Sequence, residues 1–265
     1  METITSAQNP KVKKLLALHE KSRTRREEGL FVVEGRREIG HCIAAGYEVD
    51  SVFICEEIAS DPDDLIRDLG DQDGIRVFPV SKEVYEKISY RGSTEGIMAE
   101  VRWKQLTLKD LKLRENPLVI VLESVEKPGN LGAVLRSADA AGADAVIVSD
   151  PLTDLYNPNL IRASIGAIFS VPTVAASSEE TIEWLKGNGI KILTAQLQDS
   201  KLYYETPMTG PSAIVMGTES TGLTDIWRKA ADAHIRIPML GKLDSLNVSV
   251  SAAILLFEAV RQRMK

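Results

Sequence analysis

Five polar residues in the second half of the chain have the types and spacing of a ligand-binding or catalytic site. Asn130 and Arg136 lie six residues apart in a glycine-containing segment, Glu219 follows Gly217-Thr218, and Ser245 and Asn247 precede a long apolar stretch. Amide, guanidinium, carboxylate and hydroxyl groups can bind a polar small molecule or the phosphate of a larger one. The two cysteines and three scattered histidines provide no metal-binding cluster beside them.

Four of these five residues also have a purely structural interpretation. Ser245 and Asn247 could cap the helix that follows, because Ser and Asn are favoured where unpaired backbone N–H groups need acceptors. Arg136 could be a surface arginine, and Glu219 could accept N–H groups at a helix start. The surrounding elements have to decide between these alternatives.

The second half of the chain has the pattern of a parallel α/β sheet. Apolar strands are predicted over 117–122, 145–148, 190–195 and 213–216, with helical segments near 158–163 and 179–187 between them. Open parallel sheets bind ligands at the carboxyl ends of their strands, where Gly217 follows 213–216. Gly129-x-x-Gly132 matches neither the G-x-G-x-x-G fingerprint nor a Walker lysine motif, so a Rossmann oxidoreductase is unsupported.

The last two elements are a short strand, Ile235–Met239, and a helix that begins after Asn247. Almost every residue from Val248 to Val260 is apolar or small, which predicts a helix buried on most of its circumference.

Composition limits the class of protein. The chain has 265 residues, 44% hydrophobic and 26% charged, with a net charge of −6, which is typical of one large or two ordinary globular domains. No apolar run is long enough to span a membrane, and the N-terminus does not resemble a signal peptide. Cys42 and Cys55 are expected to be reduced thiols in a cytoplasmic protein.

The first hundred residues predict a separate, smaller α/β domain. Strands at 30–35, 50–55, 75–79 and 96–101 alternate with helices at 37–45, 63–69 and from 81 onward, and no catalytic constellation lies among them. We therefore expect a scaffold or recognition domain over 1–101, a charged linker over 102–116, and the catalytic domain over 117–265.

A basic arm at 8–26 contrasts with the acidic remainder of the chain. It carries seven Lys and Arg residues against one Glu, so it could bind nucleic-acid phosphate or be the solvated face of a helix. The residues expected to contact RNA are Lys11, Lys13, Lys14, Arg23, Arg25 and Arg26.

Three segments together resemble the motifs of the SpoU family of RNA 2′-O-ribose methyltransferases, in the SPOUT superfamily. They are Glu126-Lys-Pro-Gly-Asn-Leu-Gly-Ala-Val-Leu-Arg136, Val215-Met-Gly-Thr-Glu219-Ser-Thr-Gly-Leu223, and Ile235-Arg-Ile-Pro-Met239 with Ser245-Leu-Asn-Val-Ser249. Residues 1–100 resemble, more loosely, the ribosomal-protein-like substrate-binding domain of members that act on large-subunit ribosomal RNA. One departure is Ser220-Thr221, where many relatives have another glycine.

The resemblance implies a C-terminal parallel α/β sheet with a deep trefoil knot, which the physics of the sequence would not have predicted. It also implies a homodimer, S-adenosylmethionine as cofactor, RNA as substrate, and no metal or membrane partner. Asn130, Arg136, Glu219, Ser245 and Asn247 would form the polar site. The cofactor would contact Gly217, Ile237, Met239, Leu246, Thr194 and Ala195.

Ribose methylation moves a methyl group from a sulfonium to a 2′-hydroxyl, which needs accurate placement and a proton acceptor. In the family Arg136 is usually assigned to the 2′-hydroxyl, but a guanidinium stays protonated at neutral pH. We therefore expect Arg136 to hold the adjacent phosphate and polarise the hydroxyl, with Asn130 orienting it. A transfer-RNA methyltransferase, a catalytically silent RNA-binding module and a small-molecule α/β enzyme are the alternatives.

Overall fold

Two compact units make up the chain. A computed structural model describes residues 2–61, 74–89, 95–218, 220–242 and 245–264. The first unit is Met1–Lys104 with Tyr156–Ser170, and the second is Gln105–Leu155 with Val171–Lys265. The sequence predicts a second domain that includes residues 156–170. The contacts of this segment group it instead with the first unit. The helix expected near 63–69 and the site residue Glu219 lie outside the described residues.

The first unit is a small mixed sheet with helices, close to the bounds expected from the sequence. Its strands are β1 (Leu30–Glu34), β2 (Val49–Ile54), β3 (Arg76–Pro79) and β4 (Ile97–Arg102). Its helices are α1 (Pro10–Glu20), α2 (Ser22–Glu28), α3 (Arg36–Ala44) and α4 (Lys82–Ile88), with α6 (Pro158–Ser164) and α7 (Ala167–Ser170) from later in the chain. The sheet order is β1-β4-β2-β3, with β4 antiparallel to both neighbours and β3 parallel to β2.

Helix α1, which carries much of the basic arm, is part of the core of the first unit. Asn9 caps it by accepting a hydrogen bond from the backbone N–H of Lys11 at 2.9 Å, and Pro10 starts it. Val12, Leu15 and Leu18 recur at helical spacing and are fully buried. The arm is therefore an amphipathic helix and not a detachable tail.

Aromatic stacking explains why 156–170 belongs to the first unit. Tyr156 stacks on Phe31 with ring centroids 4.2 Å apart, and Phe169 stacks on Phe31 at 6.0 Å. Tyr47 makes edge-to-face contacts with Tyr156 and Phe169, and its hydroxyl lies 3.3 Å from the hydroxyl of Tyr156. Such pairs add to the hydrophobic gain of burying large rings.

The second unit is built on a parallel sheet. Its strands are β5 (Leu118–Glu123), β6 (Ala145–Ser149), β7 (Thr173–Ala176), β8 (Lys191–Ala195), β9 (Lys201–Leu202), β10 (Ser212–Met216) and β11 (Ala233–Arg236). Its helices are α5 (Pro128–Ala140), α8 (Ser178–Gly187), α9 (Asp225–Ala230) and α10 (Val248–Arg263), with short 3₁₀ turns at Leu108–Asp110 and Tyr203–Glu205. Among the described residues the strand order is β7-β6-β5-β10-β8-β11-β9, and every pair is parallel.

This strand order brings distant parts of the sequence together. Strand β10 lies between β5 and β8, and β11 lies beside β8. Because neighbouring parallel strands end at the same sheet edge, the segments after β8, β10 and β11 converge there. Strands β5, β6 and β10 are buried along their whole length, which explains their unbroken apolar sequences.

Helix α10 corrects one expectation. It packs against α5 and the sheet through residues that include Ala252, Leu255 and Leu256. Val250 and Phe257, however, are each 47% exposed on the described surface of the chain. The prediction that this helix is buried on most of its circumference is wrong for the single chain, because its apolar residues extend over a second face.

Candidate active site

A cleft of about 380 Å³ lies at the carboxyl ends of β8, β10 and β11. Its lining residues come from these three strand ends and from the start of α10, and they are mostly apolar or uncharged. They include Ala195–Gln198, Met216–Thr218, Ser220–Leu223, Arg228, Ile235–Ile237, Met239, Ser245, Leu246, Val248, Ser251 and Leu255. Its volume is within the range of small-molecule sites, about 300 to 1,000 Å³.

Gly217 is the tightest point of the cleft. A Cβ built on it would lie 2.3 Å from both the carbonyl carbon and oxygen of Gly222 and 2.5 Å from the nitrogen of Leu223. The chain turns back on itself here, since the Gly222 N–H donates to the Thr218 carbonyl at 3.1 Å. Gly222 has a φ of +68°, which glycine adopts without strain. Both glycines are therefore required by the geometry of this loop.

The Ser220-Thr221 departure adds hydroxyl groups to the same loop. The Thr218 hydroxyl accepts from the Thr221 N–H at 3.1 Å and lies 2.8 Å from the Thr221 hydroxyl. Ser220 Oγ is 3.3 Å from Thr218 Oγ1. These contacts are internal to the loop and stabilise its turn.

Two of the predicted polar residues are brought into contact across the fold. The side-chain amide of Asn247 donates to Asn130 Oδ1 at 3.1 Å, which links the start of α10 to the start of α5. Asn247 Oδ1 also accepts from the Ser249 N–H at 3.0 Å, so the capping interpretation is correct for Asn247. Ser245, two residues earlier, lines the cleft.

Arg136, like Asn130 and Asn247, is not among the described residues that line the cleft. It is exposed on α5, and none of the described residues forms a hydrogen bond or ion pair with it. Six residues along a helix turn the side chains of Asn130 and Arg136 about 120° apart, and that both act in one site stays a prediction. An unpaired guanidinium at this position is available to a phosphate or to another subunit.

Most residues expected to contact the cofactor line the cleft. Five of the six do so among the described lining residues, namely Ala195, Gly217, Ile237, Met239 and Leu246. Thr194 is buried in β8, and its hydroxyl lies 2.6 Å from His234 Nδ1 of the neighbouring strand. Thr194 thus joins two strands behind the cleft.

Several residues that line the cleft were not predicted from the sequence. Gln196–Gln198 and Arg228 line the cleft but belong to none of the three motifs, and Arg236 lines it from within the third motif without having been predicted as a site residue. The signal for Gln196–Gln198 was available, because these residues directly follow a strand whose carboxyl end is at the ligand edge. Nothing in the sequence pattern distinguished Arg228 from a surface residue, whereas Arg236 could have been found from its place in the third motif.

Some cations of the basic arm bind other groups of the fold, and the others are exposed at the surface. The guanidinium of Arg25 is 2% exposed and donates to the carbonyls of Leu18 and His19 at 2.5 and 3.1 Å, so its assignment to RNA contact is corrected. Its burial follows from its place on α2, which packs against α1. Lys14 pairs with the buried Glu100 at 3.2 Å.

The remaining arm residues stay at the surface. Lys11 Nζ lies 3.8 Å from the centroid of the Phe78 ring, and Arg23 pairs with Glu27 at 2.6 Å. Lys13 and Arg26 are exposed, with no ion pair or hydrogen bond to any other described residue. Among the described cations of the arm, Lys13, Arg26 and the equally exposed Lys21 keep all their donors available.

Within the part of the chain that the structure describes, no group of three or more His, Cys, Asp or Glu side chains is placed to hold a metal ion. No described helix is long and apolar enough to cross a membrane.

Comparison with known proteins identifies both halves of the chain. Residues 117–257 match the SpoU rRNA Methylase family, and residues 9–99 match the MRM3-like substrate binding domain. The 23S rRNA (guanosine(2553)-2′-O)-methyltransferase RlmP of Bacillus subtilis is 30% identical over 257 residues, which are 97% of this chain and 98% of that protein.

Solved structures agree over the whole length. A crystal structure of an RNA 2′-O ribose methyltransferase is 40% identical, covers 100% of both chains and superposes with a TM-score of 0.86. The AdoMet-bound rRNA methyltransferase of Sinorhizobium meliloti is 29% identical, covers 98% of this chain and 97% of its own, and gives a TM-score of 0.89. The predicted family and its parallel α/β fold are therefore confirmed, and this chain belongs to the SpoU rRNA methylase family.

Proposed function

We propose that the protein transfers a methyl group from S-adenosylmethionine to a ribose 2′-hydroxyl of large-subunit (23S) ribosomal RNA. The observation that carries this proposal is the cleft at the carboxyl ends of β8, β10 and β11, which the second and third motifs line. The Asn130–Asn247 hydrogen bond ties the first motif to the third beside it.

The cleft fits the cofactor in size and chemistry. Apolar side chains such as Leu223, Ile237 and Met239 suit an adenosine, and the close backbone at Gly217 leaves peptide groups free to bind it. When bound, the cofactor supplies a methyl group already activated by its sulfonium charge, so the reaction needs no metal.

The residues of this chain then have to hold the RNA and to place the 2′-hydroxyl so that it can lose its proton. Arg136 stays protonated and would bind the phosphate next to the reacting ribose, polarising the 2′-hydroxyl through its fork of N–H groups. Ser245 and Asn247 shape the edge of the cleft. Arg136→Lys keeps the charge but loses the fork, so it should lower kcat with nearly unchanged RNA affinity. A near-normal kcat in Arg136→Lys would contradict this role.

We also propose that the working site is completed in a homodimer. Arg136 is exposed and unpaired among the described residues, and it does not line the cleft of its own chain. The exposed apolar residues Val250 and Phe257 on α10 form a surface suited to a second copy. Arg136 of one subunit would then act at the cleft of its partner.

Subunit mixing tests this arrangement. Homodimers of Arg136→Ala and of Gly217→Ala should both be nearly inactive. If the site is shared, a mixed dimer has one intact cleft beside one intact arginine, and activity should return to about half per dimer. No recovery in verified mixed dimers would mean that Arg136 acts within its own chain.

The first unit supports a ribosomal substrate. Its match to a substrate-binding domain covers 9–99, and Lys13 and Arg26 offer free cations to phosphate. Transfer RNA is the alternative substrate. A substrate of this kind, together with two free, buried cysteines, favours a cytoplasmic location.

The proposal is tested by methyl transfer from labelled S-adenosylmethionine to separate pools of ribosomal and transfer RNA. We expect label in large-subunit ribosomal RNA and none above background in transfer RNA. Label in transfer RNA alone would overturn the substrate. Cofactor binding without transfer to either pool, or to ribosomal particles, would favour the silent RNA-binding module.

A further inference from the structure

Two arginines line the cleft, and they differ in what their guanidinium groups contact. Arg236, at the end of β11, donates to the carbonyl of Ser200 and lies 3.4 Å from its hydroxyl. Its guanidinium therefore holds the loop between β8 and β9 in place. Arg228, on α9, has no such partner.

Arg228 is held in position with one buried donor, its Nε, that no other described residue accepts from. The neighbouring Trp227 is fully buried, and its indole N–H donates to Ser178 Oγ at 2.9 Å, which fixes α9 against α8. Arg228 Nε is buried and has no hydrogen-bond partner among the described residues. Its one ion pair, to the exposed Asp225, is at 4.0 Å, and its side chain is 37% exposed.

This arrangement is costly without a ligand. A guanidinium presents five N–H donors, and a buried donor that lacks a partner has lost its hydrogen bonds to water without replacing them. Asp225, at the surface and at the limit of ion-pair distance, compensates little of that. Because the guanidinium lines the cleft, a ligand in the cleft can supply the missing acceptor.

The charge of the cleft narrows the choice of acceptor. Apart from the two arginines, the described lining residues are uncharged. S-adenosylmethionine carries one anionic group, the carboxylate of its methionine portion, beside an ammonium and a sulfonium. Carboxylate is the group that the planar fork of a guanidinium binds through two parallel hydrogen bonds.

We infer that Arg228 binds the carboxylate of S-adenosylmethionine and thereby anchors the amino-acid end of the cofactor. The inference rests on the proposed function, which supplies the cofactor. It assigns to Arg228 a role in selecting ligands with a free carboxylate over those that contain adenosine alone. Arg236 supports the cleft wall and has no part in this selection.

The test compares S-adenosylmethionine with decarboxylated S-adenosylmethionine, which differ only in the carboxylate. Dissociation constants are measured by calorimetry for the wild type, Arg228→Gln and Lys229→Gln. Lys229 is the next residue of the same helix, is exposed and lies outside the cleft lining, so its variant loses the same charge. Thermal melting of each apo variant checks the fold.

We expect the wild type and Lys229→Gln to bind S-adenosylmethionine about tenfold or more tightly than the decarboxylated ligand. Arg228→Gln should bind the two ligands equally, at about the wild-type affinity for the decarboxylated one. A preference for the carboxylate that survives in Arg228→Gln would overturn the inference. Failure of the wild type to bind either ligand would instead count against the proposed function.

Discussion

Replacing Gly217 by alanine tests whether the close loop after β10 forms the cofactor site. The added Cβ would lie 2.3 Å from the carbonyl carbon and oxygen of Gly222 and 2.5 Å from the nitrogen of Leu223. These three atoms belong to the backbone, so no side-chain rotation can relieve the overlap. The loop has to open, and the cleft wall has to move with it.

The size of the effect follows from the cost of such overlap. Inserting a methyl group into a closely packed site costs about 1 to 3 kcal/mol. If that cost is borne by the bound conformation of the loop, the dissociation constant of S-adenosylmethionine should rise about 5- to 150-fold. Calorimetric titration of the apo protein measures this directly, without RNA.

Gly210→Ala is the matched control, because a Cβ at Gly210 meets nothing within 4 Å. It should bind the cofactor with the wild-type affinity. Thermal melting separates loss of the loop from loss of the fold, since Gly217→Ala should keep a cooperative transition. Wild-type affinity in Gly217→Ala would refute the assignment of this loop to the cofactor.

Three further predictions concern stability and RNA contact. Arg263 donates to four backbone carbonyls that precede strands of the second unit, so Arg263→Ala should lower the free energy of unfolding in urea by about 2 to 4 kcal/mol. Lys229→Ala removes an exposed cation that has no ion pair with any other described residue, and it should alter the free energy of unfolding little. Equal losses in the two variants would contradict the role of Arg263. Burial and the charge of Arg25 lower the pKa of His19 from 6.5 to about 4. The unfolded chain therefore binds a proton more readily, and stability should fall by about 3 kcal/mol as the pH drops from 6.5 through 4. His19→Gln should remove most of this pH dependence, and an unchanged profile would exclude His19 as its source. Lys13→Gln with Arg26→Gln should weaken RNA binding and reduce the slope of log affinity against log salt by about 2, without changing cofactor affinity; an unchanged slope would exclude the arm.

The structure also changes how the arm has to be tested. Deletion of residues 1–26 would be the direct experiment on a solvated tail. Val12, Leu15 and Leu18 are buried in the first unit, however, and the guanidinium of Arg25 caps two carbonyls. Deletion would remove part of the core, so point substitutions at exposed cations are the appropriate change.

The sequence predicted the elements of the sheet because buried parallel strands have unbroken apolar runs. The strands after Pro117, from Ala145 and from Ala213 were placed to within one or two residues. The order of the strands in the sheet could not be predicted from the apolar pattern, because it depends on contacts between distant segments. The position of β10 between β5 and β8 creates the cleft, and no local periodicity encodes it. The trefoil knot stays a prediction from the family resemblance.

Only part of the candidate site could be predicted, because some of its residues also owe their importance to contacts between distant segments. Motif residues with special backbone requirements, such as Gly217 and Asn247, could be recognised from type and position. Arg228 could not, because its significance depends on a buried Nε without a partner, which is a property of the packed structure. Arg25 was wrongly expected to contact RNA. A run of basic residues does not show which of its side chains will be buried in the fold.

The most direct test of the central claim is the chemical position of the transferred methyl group. Large-subunit ribosomal RNA labelled from S-adenosylmethionine is hydrolysed in alkali and its products are separated. A methyl on the 2′-oxygen blocks cleavage at that nucleotide, so the label should appear in an alkali-resistant dinucleotide and, after enzymatic digestion, in a 2′-O-methylnucleoside. Label in ordinary mononucleotides with a methylated base would contradict the assignment of this protein as a ribose methyltransferase.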